Sequence, residues 1–197
     1  MFSANTDDIQ FLFESAGQPV LINDIEHQAI ITNPQMSTNE ERYIHTLDGV
    51  PQGDIVTIDD KKFLAISEST IKRHGKYKNK IRHCNYVIEI AGEIREELLR
   101  DEEGNILYDK YGRPIYIEVK GDPIQIPMVV DYKLFSVIAG QITVAENQIF
   151  VTVQENEINR GRFKVNNTFE LMDLKWKVRN VDKTKRGLLL LTCEKVI

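Results

Sequence analysis

The sequence of 197 residues has few of the features that secreted, membrane-spanning or disulfide-stabilised proteins require. It contains only two cysteines, Cys84 and Cys193, which are too few for a disulfide framework. No basic start with a long apolar run opens the chain, and no stretch approaches the roughly 18 apolar residues that span a bilayer. We therefore expect synthesis in a reducing cytoplasm, two free thiols and no membrane contact.

Recognisable catalytic, cofactor and metal motifs are also absent from the sequence. None of the four histidines has metal-ligand spacing to another histidine or to a cysteine pair. There is no P-loop or glycine-rich dinucleotide motif, and the acidic residues 101–105 lack the ligand order of an EF-hand. A Cys84 nucleophile with a histidine base is the remaining enzymatic hypothesis, but a buried strand thiol is normally inert. We expect no enzyme activity, no cofactor and no metal.

Charge is close to balanced, with 25 Lys and Arg against 30 Asp and Glu, for a net charge of -5. This balance argues against a protein that coats nucleic acid, because a duplex binder needs a clustered basic surface. One basic run stands out, and it is either a solvated strand edge that blocks aggregation or a contact with DNA or an acidic neighbouring subunit. The residues of this candidate basic contact patch are Lys72, Arg73, Lys76, Lys78, Lys80 and Arg82.

What the sequence does contain is a period-two alternation of apolar and polar residues from Val20 onward, which predicts strands. Helix is expected mainly at residues 6–15, and residues 93–99 fit either a helical turn or a continued strand. One long strand is predicted over Lys78–Ile90 and a short one over Arg162–Val165. The residues predicted to lie in cores are Phe63, Cys84, Val87 or Ile88, Phe150, Trp176 and Leu189.

This pattern predicts a mainly β fold with two small antiparallel β-barrel or sandwich modules, a short N-terminal helix and a long protruding loop. We expect an N-terminal module with the leading helix at residues 1–91, the protruding loop or hairpin at 92–114, and a C-terminal module at 115–197. A connection as long as 92–114 is usually functional or disordered.

The loop at 92–114 is net acidic, yet it holds more apolar residues than a purely solvated loop needs. Exposed apolar residues are a liability unless a partner covers them. We therefore predict that this loop contacts a neighbouring subunit or lines a lumen. The candidate residues are Arg95, Leu98, Leu99, Asp101, Glu102, Glu103, Ile106, Leu107, Tyr108 and Asp109.

Several stretches together resemble structural proteins from the head–tail joining region of long-tailed bacteriophages of Gram-positive hosts. In the first half they are Gly53–Val56, Phe63–Ile66 and Lys80–Tyr86. In the second half they are Arg162–Val165, Lys175–Asp182 and Gly187–Leu190. The closest members are head-closure (stopper) proteins and neighbouring connector rings.

The resemblance implies a virion protein at the head–tail interface that forms a ring, of six or twelve copies, between a portal or adaptor and the tail. Packaged DNA would pass through the lumen without sequence-specific contacts, and the loop at 92–114 would be the lumen or inter-ring element. The chain is longer than a minimal one-barrel stopper, which leaves a tail terminator or baseplate hub protein open. A ligand-binding or enzymatic β-barrel is the alternative from another class.

Overall fold

The alternating pattern produces strands throughout the computed structural model, which describes residues 6–34, 40–71, 75–92, 94–132, 136–138, 141–143 and 147–196. The fold is mainly β, with a six-stranded antiparallel barrel, a nearly closed six-stranded barrel and a short N-terminal helix, which confirms the predicted fold class. The elements are α1 (Thr6–Ala16), β1 (Gln18–Ile22), β2 (Ile25–Thr32), β3 (Glu41–Thr46), β4 (Ile55–Ile58), β5 (Lys61–Ala65), β6 (Thr70–Ile71), β7 (Tyr77–His83), β8 (Tyr86–Ile90), β9 (Ile94–Leu98), β10 (Tyr116–Lys120), β11 (Ile124–Tyr132), β12 (Ser136–Ile138), β13 (Gln141–Thr143), β14 (Gln148–Gln154), α2 (Glu157–Arg162), β15 (Thr168–Leu171), β16 (Leu174–Asp182) and β17 (Leu188–Lys195).

Helix α1 lies where the sequence predicts it. Ile9 and Phe13 are buried one turn apart, whereas Leu12 is exposed, so only a narrow face of the helix packs on the core. The helix ends at Gly17, whose backbone nitrogen donates a hydrogen bond to the Phe13 carbonyl at 2.9 Å. Neither this helix nor any other in the described ranges is long and apolar enough to cross a membrane.

The first sheet contains strands β1 to β7 in the order β3-β2-β1-β4-β5-β7-β6. Six of them form the first barrel, which closes because β3 also pairs with β7, and β6 pairs with β7 alone. Two tight turns join β1 to β2 and β4 to β5. Their central residues, Asn23-Asp24 and Asp59-Asp60, have positive φ, as the preferred two-residue hairpin turns require. The inward side chains form one core: Val20, Ile22, Ala29, Ile44, Val50, Val56, Ile58, Phe63, Ala65 and Ile81.

The second barrel has the strand order β15-β16-β17-β14-β11-β8. Ile149, Val151 and Val153 alternate into its core along β14. The prediction for Phe150 is wrong, because the same alternation turns this residue outward and leaves it 37% exposed. Of the alternatives Val87 and Ile88, Ile88 is the buried one, and Trp176 and Leu189 are buried as predicted. Strands β12 and β13 form a separate two-stranded sheet.

The predicted strand over Arg162–Val165 is also wrong, since helix α2 ends there. Asn156 caps the helix by accepting a hydrogen bond from the Asn159 backbone nitrogen at 2.8 Å. Phe163 follows as the C-cap and packs edge-on against Phe169, with ring centroids 5.5 Å apart. Capping and this aromatic contact therefore override the short polar–apolar alternation.

The predicted long strand over Lys78–Ile90 is interrupted at Cys84 and Asn85, so that β7 belongs to the first barrel and β8 to the second. The Asn85 side chain replaces the missing strand contacts. Its amide accepts a hydrogen bond from the Val130 nitrogen at 2.8 Å and donates one to the Val130 carbonyl at 2.9 Å. Asn85 therefore fixes the point where the chain leaves the first sheet and enters the second.

Residues 1–87 and 127–197 form one compact unit, in which the barrels share a second apolar cluster. This cluster consists of Leu64, Cys84, Val129 and Leu188. The Arg82 guanidinium adds a bidentate ion pair with the Asp131 carboxylate. The backbones also meet at Gly53 and Gly187, where a Cβ on Gly187 would lie 2.0 Å from the Gln52 carbonyl oxygen.

Candidate functional site

The second compact unit, residues 88–126, includes the whole of the predicted loop or hairpin at 92–114, and we call it the ribbon unit. Its strands β9 and β10 pair antiparallel from Leu98 opposite Tyr116 to Ile94 opposite Lys120. The alternative at residues 93–99 is thereby resolved as a strand over its described part, while Glu93 lies outside the described residues. The two strands form a sheet of their own, so the outer edge of each pairs with no other strand in the part of the chain that the structure describes.

The base of the ribbon unit depends on a glycine. A Cβ on Gly92 would lie 2.3 Å from the Asp122 carbonyl oxygen and 2.6 Å from the Gly121 carbonyl carbon. The backbone segments at the start of β9 and at the end of β10 therefore pass close to each other. Gln125 reinforces the pairing by donating a hydrogen bond from its side-chain nitrogen to the Glu89 carboxylate at 3.2 Å.

The far part of the ribbon unit contains the same turn twice, eight residues apart. The Asp101 carboxylate accepts hydrogen bonds from the backbone nitrogens of Glu103 at 3.0 Å and Asn105 at 2.8 Å. Asp109 repeats this with Tyr111 at 2.7 Å and Arg113 at 2.9 Å. In both turns a glycine with positive φ follows three residues after the aspartate. These two predicted loop residues therefore act as turn-stabilising acceptors.

The repeat also produces a closed triangle of backbone hydrogen bonds. Leu107 donates to Leu99 at 2.9 Å, Ile115 donates to Leu107 at 3.0 Å, and Leu99 donates to Ile115 at 2.8 Å. The sequence signal that would have revealed this is Asp-x-x-Gly-x-x-Leu/Ile-Tyr, which occurs at 101–108 and again at 109–116. The segment predicted as a loop thus has continuous hydrogen-bonded order.

The hydrogen bonds of the first turn stabilise the ionised form of the Asp101 carboxyl group. Hydrogen bonding from the Asn105 backbone nitrogen is the largest cause that holds the pKa of Asp101 below its ordinary value. The Arg100 guanidinium donates to the Gly104 carbonyl at 2.8 Å and closes the same turn from the outside. The ionised form of Asp101 is therefore part of the folded turn.

Several large apolar side chains of the ribbon unit are exposed. Of the predicted residues, Leu107 and Tyr108 are exposed, Leu98, Leu99 and Ile106 are half-buried, and the charged Arg95, Glu102 and Glu103 are exposed. Sequence reasoning did not single out Tyr111, Tyr116 and Ile117, of which Tyr111 is 71% exposed. Aromatic side chains are enriched in protein interfaces. The ribbon unit therefore presents a surface suited to a protein partner.

The net charge of the chain resides in the ribbon unit. Residues 88–126 contain 5 Lys and Arg against 10 Asp and Glu, whereas the remainder contains 20 of each. No carboxylate in the described part of this unit belongs to an ion pair. The unit therefore carries uncompensated negative charge.

Three residues of the candidate basic patch, Lys78, Lys80 and Arg82, lie on β7, and each has a partner within the chain. Lys72 and Arg73 lie outside the described residues, and Lys76 is half-buried. The remaining three residues face away from the buried Asn79 and Ile81. Lys78 Nζ lies 3.6 Å from the centroid of the Tyr43 ring, Lys80 pairs with Glu41 at 2.7 Å, and Arg82 pairs with Asp131.

Both thiols are buried, and burial raises the pKa of Cys84 and of Cys193 to about 12. A thiol with such a pKa is almost fully protonated at neutral pH and is a poor nucleophile. The neighbouring His83 imidazole lies 3.3 Å from the Glu40 carboxylate. In the described part of the chain, no group of three His, Cys, Asp or Glu residues is arranged to hold a metal ion.

One open cleft of about 640 Å³ lies within the unit that contains both barrels. Arg160 and Arg186 line it, and Arg160 pairs with Glu155 at 3.2 Å. Tyr77 lines the same cleft beside Gly49. The other lining residues are Asp48, Pro51, Gln52, Glu68, Ser69, Glu155 and Gly187. This mixed lining offers two cations and three carboxylates to a small polar ligand.

Two family comparisons account for nearly the whole chain. The YomX N-terminal domain matches residues 1–83, and the YomX C-terminal domain matches residues 86–194. The interval between the two matches coincides with the break at Cys84 and Asn85. No curated protein and no solved structure matches the chain. With both domains present in their order along the sequence, the chain belongs to the YomX family.

Proposed function

We propose that this chain is a virion structural protein of the phage head–tail junction, which assembles as a homo-oligomeric ring between a portal or adaptor and the tail. In this role the ring joins the two parts of the particle and gates DNA exit. The resemblance of the two half-chains to connector proteins supports the location at the head–tail junction. The ribbon unit supports the role in assembly.

The ribbon unit is the single observation that carries an assembly function. Strands β9 and β10 belong to neither barrel sheet, so the pairing that closes the barrels does not require them. Repeated turns and the hydrogen-bonded triangle give the unit an order of its own. Exposed tyrosines and free strand edges are features that bind other proteins. A contact element built this way suits a subunit that joins larger assemblies.

The charge of the ribbon unit suits a DNA passage. Its 10 carboxylates against 5 cations repel a polyanion. Packaged DNA that meets such a surface is not trapped by it, because no basic groove neutralises the phosphates. A ribbon unit that lines a lumen would therefore act as a steric gate without sequence-specific binding.

An excision of the ribbon tests this function. Residues 93–120 are replaced by Asn-Gly, a sequence suited to a two-residue hairpin turn, so that the close backbones at Gly92 and Gly121 are rejoined. Negative-stain images are recorded for the native and excised chains, alone and with a portal complex. We expect rings and ring–portal complexes for the native chain, and neither for the excised chain.

A matched variant separates side-chain contacts from chain connectivity. Tyr108→Ser, Tyr111→Ser and Tyr116→Ser, combined in one chain, keep the ribbon backbone and remove its exposed aromatic groups. We expect this variant to fold and to lose ring–portal complexes. If the excised chain forms rings and joins the portal as the native chain does, the ribbon unit is not an assembly element. Binding to isolated tail proteins but not to the portal would favour a tail terminator or baseplate hub protein instead.

A ligand-binding β-barrel is the second candidate function, and the cleft beside Arg160 and Arg186 favours it. Its volume lies in the range of small-molecule sites, about 300–1,000 Å³. Titration of the labelled chain with small anionic and zwitterionic compounds, followed by nuclear magnetic resonance, tests this candidate. Saturable shifts confined to residues of the cleft would support it, and shifts spread over the surface would count against it.

A further inference from the structure

A second charged region has a net charge opposite in sign to that of the acidic ribbon unit. Residues 157–186 contain 9 Lys and Arg but only 4 Asp and Glu. Within the described residues, Arg160 and Arg179 are the only two of these nine cations that form ion pairs. Residues 157–186 and the ribbon unit therefore have net charges of opposite sign, and most charges in both stretches form no ion pair within the described residues.

Strand β16 presents part of this basic region as a row. Trp176 and Val178 are buried, so the residues that alternate with them point away from the core. These outward residues are Lys175, Lys177 and Arg179. Lys175 lies opposite Glu170 of β15, and Lys177 lies opposite Glu194 of β17, whose carboxylate pairs with Arg179. Beside them, β15 is the last strand of its sheet and has an unpaired outer edge. The row and the edge together form what we call the basic edge.

The ribbon unit has a complementary arrangement. Glu96 and Glu118 lie directly opposite each other on β9 and β10, and both are exposed. Like charges in directly opposed positions destabilise a two-stranded sheet. A row of cations laid across this pair would remove the repulsion. Both edges of the ribbon are also free to accept another strand.

We propose that the ribbon unit of one copy docks on the basic edge of the next copy, head to tail, with Glu96 and Glu118 facing the row of Lys175 and Lys177. This inference rests on the proposed ring assembly and specifies the contact between its subunits. A second copy is the occupant because the same chain carries both a net negative ribbon unit and a net positive stretch at 157–186. A head-to-tail contact uses two different surfaces, and it closes into a ring when the rotation allows.

A charge exchange between two variants tests the contact. One variant carries Glu96→Lys and Glu118→Lys, and the other carries Lys175→Glu and Lys177→Glu. A matched control carries Glu26→Lys and Lys61→Glu, two exposed residues of the first barrel without an ion pair in the described chain. Self-association is measured by sedimentation velocity at low and high salt, and circular dichroism verifies that every variant is folded.

The native chain and the control should associate at low salt and dissociate as salt increases, because added ions screen exposed charges. Each charge variant alone should associate roughly tenfold more weakly or worse, since like charges then meet across the contact. Mixing the two variants should restore association, because acidic ribbon meets basic edge and basic ribbon meets acidic edge. Only a contact between separate chains can be restored by mixing.

The outcomes separate this inference from the proposed function. If both variants form the same oligomers as the native chain, the docking contact is wrong while the ring can stand. If both lose association and mixing does not restore it, the two surfaces are not each other's partners and the docking contact is again wrong. A native chain that stays monomeric at every concentration and salt would overturn both the contact and the ring.

Discussion

At the scale of single residues, Trp176 stabilises the second barrel both by packing and by a hydrogen bond. Its ring is 2% exposed, and its indole nitrogen donates a hydrogen bond to the Leu171 carbonyl at 3.0 Å. Buried aromatic side chains of this size usually cost about 3–5 kcal/mol when truncated to alanine. We therefore expect Trp176→Ala to lower the free energy of unfolding by about this amount in urea denaturation.

The control for this prediction is Trp176→Phe, which keeps most of the ring volume and removes the donor. It leaves the Leu171 carbonyl without its partner, so a smaller loss of about 1–3 kcal/mol is expected. A near-neutral effect of Trp176→Ala on the unfolding midpoint would show that the barrel does not depend on this side chain.

The two buried thiols lead us to predict a loss of folding stability at alkaline pH. Burial raises the pKa of Cys84 and Cys193 from 9.0 to about 12, so the thiolate forms more readily in the unfolded chain than in the folded one. Their contribution to stability is therefore complete below pH 9 and is lost as the pH rises from 9 towards 12. A Cys84→Ala, Cys193→Ala variant should show a shallower loss of unfolding free energy over this window.

Equal slopes for the native chain and the double variant would contradict this account of the thiols. Rapid labelling of the folded native chain by a thiol reagent at neutral pH would contradict it as well, since buried thiols of high pKa react slowly. The difference in slope is the informative quantity, because truncation of the two side chains also lowers the stability at every pH.

At the scale of elements, the close approach of Gly53 and Gly187 ties the barrels together at their loops. Gly187 has φ +78°, and a Cβ there would lie 2.0 Å from the Gln52 carbonyl oxygen. Gly187→Ala therefore combines backbone strain with a clash that side-chain rotation cannot relieve. We expect a clear decrease of the thermal midpoint.

Gly104→Ala is the matched control for the clash. Gly104 has a similar φ of +88°, but nothing lies within 4 Å of the added Cβ. The free energy of unfolding of this variant should decrease only by the cost of placing alanine in a left-handed conformation, about 1–2 kcal/mol. If the two substitutions decreased the thermal midpoint equally, the loop contact at Gly187 would contribute nothing to stability.

Sequence patterns predicted most strands because burial on one face enforces alternation. They failed where a side chain competed with that alternation. At Arg162–Val165 the cap at Asn156 makes a helix, and at Asn85 a side-chain amide takes the place of a strand partner. Phe150 shows a different limit, because alternation fixes which residues share a face but not which face is inward.

The ribbon unit was predicted in outline and missed in detail. Acidic charge, apolar content and the two turns are visible in the sequence, and they indicated a segment with a partner. The eight-residue repeat at 101–108 and 109–116 was missed, because its two copies differ at most positions other than the shared aspartate, glycine and tyrosine. Pairing of β9 with β10 involves residues about twenty positions apart, which local periodicity cannot show.

At the scale of the whole molecule, the chain is nearly neutral outside the ribbon unit and acidic within it. Complementary charges across an interface contribute specificity and faster association more than affinity. The ring assembly that we propose uses this separation, since each subunit needs two complementary surfaces. Its stoichiometry of six or twelve copies remains a prediction.

The most direct measurement is the native mass of the purified chain in solution, by mass spectrometry from a volatile buffer of low ionic strength. The proposed ring predicts one dominant species of six or twelve copies of the 22.7 kDa chain, which dissociates as the ionic strength increases. A monomer at every concentration and ionic strength would contradict the central claim that this protein functions as a ring.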